Sequence, residues 1–133
     1  MIRILVTGSR TWADADAIAA GLDDAVHFWG PGPVTLVSGA CPRGADRLAE
    51  QHAKMRGWTV ERHPANWDLH RKAAGFIRNQ AMADLGATAL VAFSIGNSPG
   101  TRDMIRRAEK AGIPTVVHEG EERVSETRDG RDA

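Results

Sequence analysis

At 133 residues the chain has the length of one domain, and a balance of 42% hydrophobic and 26% charged residues suits a globular protein that builds its own core. Seventeen basic residues offset 17 acidic ones, so the basic excess behind most non-specific nucleic-acid binding is missing. The single cysteine, Cys41, excludes an internal disulfide and a multi-cysteine metal site, and no apolar run approaches the ~20 residues of a membrane-spanning helix.

Ile2–Thr7 is a near-continuous apolar run, as expected of a parallel strand covered on both faces. It is too short, and too soon followed by Gly8 and Arg10, to be a secretory signal, which points to a cytoplasmic protein. The run leads into Gly8-Ser9-Arg10-Thr11-Trp12. There glycine admits a ligand close to the backbone, serine offers a hydroxyl and an N–H, and arginine can fork onto phosphate or carboxylate. The same string also serves as a plain strand-to-helix turn, and the G-x-G-x-x-G fingerprint is absent.

A helical pattern over Asp14–Trp29 precedes the second strand, Val34–Ser38. That strand leads into Ser38-Gly39-Ala40-Cys41-Pro42-Arg43-Gly44-Ala45-Asp46, where two glycines present backbone N–H groups at the start of a helix over Ala45–Arg56. It is not a Walker A loop, because no Lys-Ser/Thr pair follows the second glycine. Asp46 suits the helix dipole by position, and its alternative role is a hydrogen bond to a ribose hydroxyl or to an arginine of the site. Cys41 reads as a small loop thiol, since no base stands beside it in sequence.

Thr59–His63 is the third strand, followed by a helix over Leu69–Leu85 with Ala73, Ile77, Ala81 and Leu85 at helical spacing. Arg78-Asn79 lies at the edge of that apolar face and reads as a polar pair reaching a cleft. His63 and His70 lack a third ligand at useful spacing, so no metal is expected. Trp12 and Trp67 are candidates to stack on a base, although packing is the commoner use of tryptophan. The fourth strand, Ala89–Phe93, runs into Ser94-Ile95-Gly96-Asn97-Ser98-Pro99-Gly100-Thr101, a second glycine-rich turn before a helix over Arg102–Ala111. Gly96 and Gly100 give backbone access, and Thr101 is placed to cap that helix or bind phosphate. Thr115–His118 is the last strand, and Gly57, Gly86 and Gly112 fall just past three helix ends.

Strict strand–helix alternation predicts an α/β, Rossmann-like three-layer sandwich with a five-stranded parallel sheet in the order 3-2-1-4-5. Ligands of such sheets bind at the switch point, here between the first and fourth strands. The domain is expected over residues 1–118, with 119–133, rich in Glu, Arg, Asp and Gly, as a disordered charged tail.

Taken together, Gly8-Ser9-Arg10, Ser38-Gly39 with Gly44-Ala45-Asp46, Trp67 with Gly75, Arg78-Asn79 with Met82, and Gly100-Thr101 with Asp103-Met104 resemble the SLOG superfamily, specifically its small YspA-like branch. The resemblance implies a pocket for a nucleotide or nucleotide-derived ligand, a nucleoside phosphate or an ADP-ribose-like molecule, serving a sensor or processing role without a cofactor. In that pocket Gly8, Gly39, Gly44 and Gly100 would give backbone access, and Ser9, Ser38 and Thr101 would donate to phosphate. Arg10 and Arg78 would neutralise charge, and Asp46 or Asn79 would read ribose or base. A homodimer is an expectation carried by the resemblance alone.

Two relatives supply alternatives. The cytokinin-activating phosphoribohydrolases carry Arg-Lys-x-x-Met and Pro-Gly-Gly-x-Gly-Thr-x-x-Glu stretches, whose arginine and final glutamate cut an N-glycosidic bond. Arg78, Met82, Gly100 and Thr101 match, but Met104 stands at the glutamate position. Arg78 with Asp103, one residue away, is the catalytic pair that a rearranged site would use. The DNA-processing protein A family suggests a single-stranded DNA binder, which the neutral net charge disfavours.

Overall fold

The computed structural model describes residues 1–121. In chain order the elements are β1 (Ile2–Gly8), α1 (Ala15–Trp29), β2 (Val34–Ser38), α2 (Ala45–Arg56), β3 (Thr59–Arg62), α3 (Trp67–His70), a 3-10 turn (Arg71–Ala73), α4 (Ala74–Leu85), β4 (Ala89–Ile95), α5 (Pro99–Lys110) and β5 (Thr115–Gly120). All neighbouring strands are parallel and their order is β3-β2-β1-β4-β5, the predicted α/β, Rossmann-like arrangement.

Alternation along β1 sends Ile4 and Val6 to one face and Leu5 to the other, and both faces are covered. On the first face Ile18 and Leu22 of α1 and Ala49 and Ala53 of α2 meet Leu36, Val91 and Phe93. On the second, Met82 and Ala83 of α4 and Met104 and Ala108 of α5 meet Val37 and Leu90. Burial on both sides explains why the central strands read as continuous apolar runs rather than as alternating ones. At the edge of the second face, Arg3 of β1 reaches across β2 to Glu61 of β3 in a two-pronged ion pair of 2.8 and 3.1 Å.

Several boundaries depart from the sequence reading, β4 among them by running on to Ile95, and three of them have a visible local reason. The helix predicted over Leu69–Leu85 is broken. Asn66 caps a four-residue helix by accepting the Leu69 N–H at 3.0 Å, and Arg71 then adopts φ 55°, which a right-handed helix cannot continue through. The last helix begins at Pro99 rather than Arg102, because proline at the first helical position gives up no bond. β5 extends through Gly120, two residues past its expected end, where the ring of Trp12 packs against the Gly120 backbone. Of the segment expected as a charged tail, residues 122–133 lie outside those described. No helix among the described residues is long and apolar enough to cross a membrane.

Candidate functional site

The carboxyl ends of β1 and β4 meet at Ser9, which spends nearly all its polar groups on the fold. Its N–H donates to the Phe93 carbonyl at 2.9 Å, and its carbonyl accepts from Trp12 at 3.1 Å and Ala45 at 3.2 Å. Its hydroxyl accepts the Ile95 N–H at 2.8 Å, tying the loop after β1 to the loop after β4. Gly8 and Gly44 make the junction possible. A Cβ on Gly8 would lie 2.6 Å from the Phe93 carbonyl oxygen. Gly44 has φ 74°, and a Cβ there would lie 2.5 Å from Arg10 Cα.

This contact corrects one expectation. The start of α2 is not open to an anion, because the Ser9 carbonyl already accepts the Ala45 N–H. Gly44 and Ala45 therefore lock two loops together and do not line the cleft. Ser38 is also withdrawn from it: fully buried, it donates to Glu50 Oε2 at 2.7 Å and accepts the Ala40 N–H at 3.0 Å.

The start of α5 is open. Ser98 occupies the cap position without bonding a backbone N–H, and its hydroxyl instead lies 2.9 Å from the Thr101 hydroxyl. Thr101 sits in the first turn and is not the cap. The N–H groups of Gly100 and Thr101, which have no acceptor inside the helix, belong to the cleft wall together with Gly96 and Asn97. Asn79 steadies this end by donating to the Gly100 carbonyl at 3.3 Å and to Asp103 Oδ2 at 3.1 Å.

Asp46 and Arg78 face the same cavity, of about 520 Å³. Asp46 is 7% exposed, and its Oδ2 accepts the Cys41 N–H at 3.1 Å, while Oδ1 has no partner among the described residues. Burial pushes its carboxyl up to about 6; the Cys41 N–H and the charges of Arg78 and Arg10 oppose that rise, and Glu50 adds to it. Arg78 is held by carbonyl and amide oxygens: Nη1 donates to the Gly39 carbonyl and, at 3.4 Å, to His63, and Nε donates to Asn79 Oδ1 at 3.0 Å. Burial lowers its pKa, and the arginine stays charged, with Nη2 making no hydrogen bond among the described residues. Gly39 is the slot for this guanidinium, since a Cβ there would lie 2.7 Å from Nη1.

The cavity thus gathers Gly8, Ser9, Arg10, Asp46, Arg78, Asn79, Gly96, Gly100 and Thr101 of the residues expected at the site. Asp103 does not line it. That carboxylate is 2% exposed and accepts from Asn79, from Arg106 at 3.0 Å and from Arg107 at 2.8 Å, so it positions Asn79 from behind. Met104 points into the core beside Leu5 and Leu90, so the glutamate position of the phosphoribohydrolases is a packing position in this chain. The two candidate tryptophans part company. Trp12 is buried edge-on against Phe93, with its Nε1–H donating to the Asp14 carbonyl at 2.9 Å, whereas Trp67 is half-exposed on the cleft wall. Lys72 and Phe76 also line the cleft. Sequence reasoning missed Lys72, which lies in the 3-10 turn that replaces part of the expected helix, and took Phe76 only as an apolar flank of Arg78-Asn79. His63 pairs with Glu61 at 2.6 Å, and among the described residues no three His, Cys, Asp or Glu side chains gather to hold a metal.

Three comparisons show which known proteins this chain is similar to. A model of the YspA, cpYpsA-related SLOG family matches residues 2–70. The gene 61 protein of Mycobacterium phage D29 is 42% identical over 121 residues, covering 87% of this chain and 95% of that protein. Among solved structures, the C-terminal domain of a hydrogenase from Pyrococcus furiosus aligns with 88% of this chain and 91% of its own, at 18% identity and a TM-score of 0.42. With just over half of the chain matched by the family model, the chain belongs to the YspA, cpYpsA-related SLOG family.

Proposed function

We propose that the cleft binds a nucleotide or nucleotide-derived ligand, with its phosphate on the open start of α5. The observation that carries this reading is the pairing, within one cavity at the switch point, of uncapped helix N–H groups with a buried carboxylate whose Oδ1 is free. Phosphate suits Gly100 N–H, Thr101 N–H and Arg78 Nη2, and a ribose hydroxyl suits Asp46 Oδ1. The exposed Trp67 ring supplies a stacking surface for a base. Adenosine monophosphate at about 100 times its Kd is expected to stabilise the protein by roughly 2.7 kcal/mol, read as a rise in Tm. Trp67→Ala, at an exposed position, is expected to diminish the shift while leaving the ligand-free Tm in place. An unchanged Tm across a panel of nucleoside phosphates and ADP-ribose would overturn the reading.

Hydrolysis of the N-glycosidic bond of such a ligand is a second reading, favoured by the Asp46 carboxyl at about 6, close to where proton transfer is most effective near neutral pH. It assigns the acid–base role to Asp46 and a positioning role to Asp103. Release of ribose 5-phosphate that is abolished in Asp46→Asn and only slowed in Asp103→Asn supports it; turnover that survives Asp46→Asn refutes it.

A further inference from the structure

The cleft continues past Trp67. A second hollow of about 800 Å³ runs along the loops after β2 and β3 and shares Arg10, Cys41, Trp67 and Arg78 with the first. Its far wall is made by Pro42, Arg43, Pro64 and Ala65. Three arginines line this hollow and no carboxylate does. Arg10 and Arg43 are exposed, and none of the ion pairs among the described residues uses either. Lys72 adds a further positive charge on the near side. Asp46, on the wall of the first hollow, offsets part of the charge of Arg78 and Arg10, but no acid lines the second hollow beside Arg43, so the net positive charge there concentrates anions. The wall that carries them is stiff, with Pro42 and Pro64 fixing the backbone and Ala40 held at φ 61°, so little ordering is needed on binding.

A mononucleotide with its phosphate on α5 and its base against Trp67 fills the first hollow and brings no charge to Arg43. We infer that the joined trough accepts a dinucleotide, two phosphates separated by one nucleoside, with the first phosphate at the start of α5 and the second between Arg10 and Arg43. The inference rests on the nucleotide reading of the first hollow and extends it by a second anion subsite. Arginine is the side chain best matched to that role, because its planar fork meets two phosphate oxygens at once.

Isothermal titration of the full chain with adenosine monophosphate, linear 5′-pApA and a longer single-stranded oligoadenylate tests this. The dinucleotide is expected to bind about tenfold more tightly than the mononucleotide, as one additional charge-assisted contact allows. Arg43→Ala, at an exposed position that leaves the circular dichroism spectrum unchanged, is expected to erase that advantage and keep the mononucleotide affinity. Equal affinities for pApA and the mononucleotide, or an Arg43→Ala loss common to both, overturn the second subsite while leaving the first intact. Failure of both ligands to bind overturns the nucleotide reading together with it. An oligoadenylate that binds far more tightly than pApA makes a strand the occupant and overturns the dinucleotide.

Discussion

With its carboxyl pushed up to about 6 by burial, Asp46 is charged near neutral pH in a place where charge is disfavoured. The sign follows from linkage. A folded-state pKa above the model value of 3.8 means that the folded state binds the proton more tightly, so stability is lost as pH rises from about 4 through 6. Asp46→Asn keeps an oxygen for the Cys41 N–H and removes the charge. It is expected to raise stability at pH 7.5 by on the order of 1–3 kcal/mol, with the difference vanishing near pH 4, while weakening nucleotide binding. Thermal melts of both proteins across that range check it, and a constant difference would refute the assignment. The sequence reading assigned Asp46 a ligand contact and Asp103 a catalytic one, since both acids follow a glycine-rich loop; the structure keeps only Asp46 on the cavity wall. The difference lies in partners distant in sequence or one turn away: Asp103 meets Asn79, Arg106 and Arg107, whereas Asp46 meets one backbone N–H. Ser38 escaped in the same way, because Glu50, which takes its hydroxyl, lies a full helix turn beyond the loop that the motif describes.

At the level of elements, the two glycine-rich loops look equivalent in sequence and do opposite work. The loop before α2 is a joint, its helix start closed by the Ser9 carbonyl, whereas the helix start after the loop before α5 is left open. The glycines record this difference. A Cβ on Gly8 meets the Phe93 carbonyl oxygen at 2.6 Å, while a Cβ on Gly100 meets nothing within 4 Å. Gly8→Ala is therefore expected to destabilise the fold by about 2–3 kcal/mol, through backbone displacement at the β1–β4 junction. Gly100→Ala is expected to leave the denaturation midpoint within about 0.5 kcal/mol of wild type. Urea titration of the two variants checks the contrast. Strand positions, strand order and the switch point were legible because five apolar runs alternate with helical spacing. The break at Arg71 was not, because an arginine at positive φ carries no mark in sequence, and with it went the place of Lys72 on the cleft wall.

Across the whole molecule, the sheet is braced by Arg3 and Glu61, which span β1 to β3 over the intervening β2. The Arg3 guanidinium, and after it His63, hold the Glu61 carboxyl at about 2, below its usual 4.5. The stabilisation is complete above about pH 4.5 and is lost as pH falls toward 2, the reverse of the trend set by Asp46. Glu61→Gln is expected to cost ~0.5–1 kcal/mol at pH 7, the pair being partly exposed to solvent, and only a small part of that near pH 2, where the carboxyl is half protonated. Acid titration followed by circular dichroism reads this directly, and a deficit undiminished between pH 5 and pH 2 would exclude the ion pair as its source.

The employment of Ser9 also bears on how such a molecule can acquire new ligands. One residue holds the loop after β1, the loop after β4 and the start of α2 with its N–H, carbonyl and hydroxyl oxygen. Change there alters ligand chemistry and folding together, so the floor of the cleft has little freedom to explore. Arg10, Arg43, Trp67 and Lys72 stand on the rim with much of their surface in solvent. Innovation in recognition is thereby steered to the rim, where a new side chain can be tried without putting the scaffold at risk.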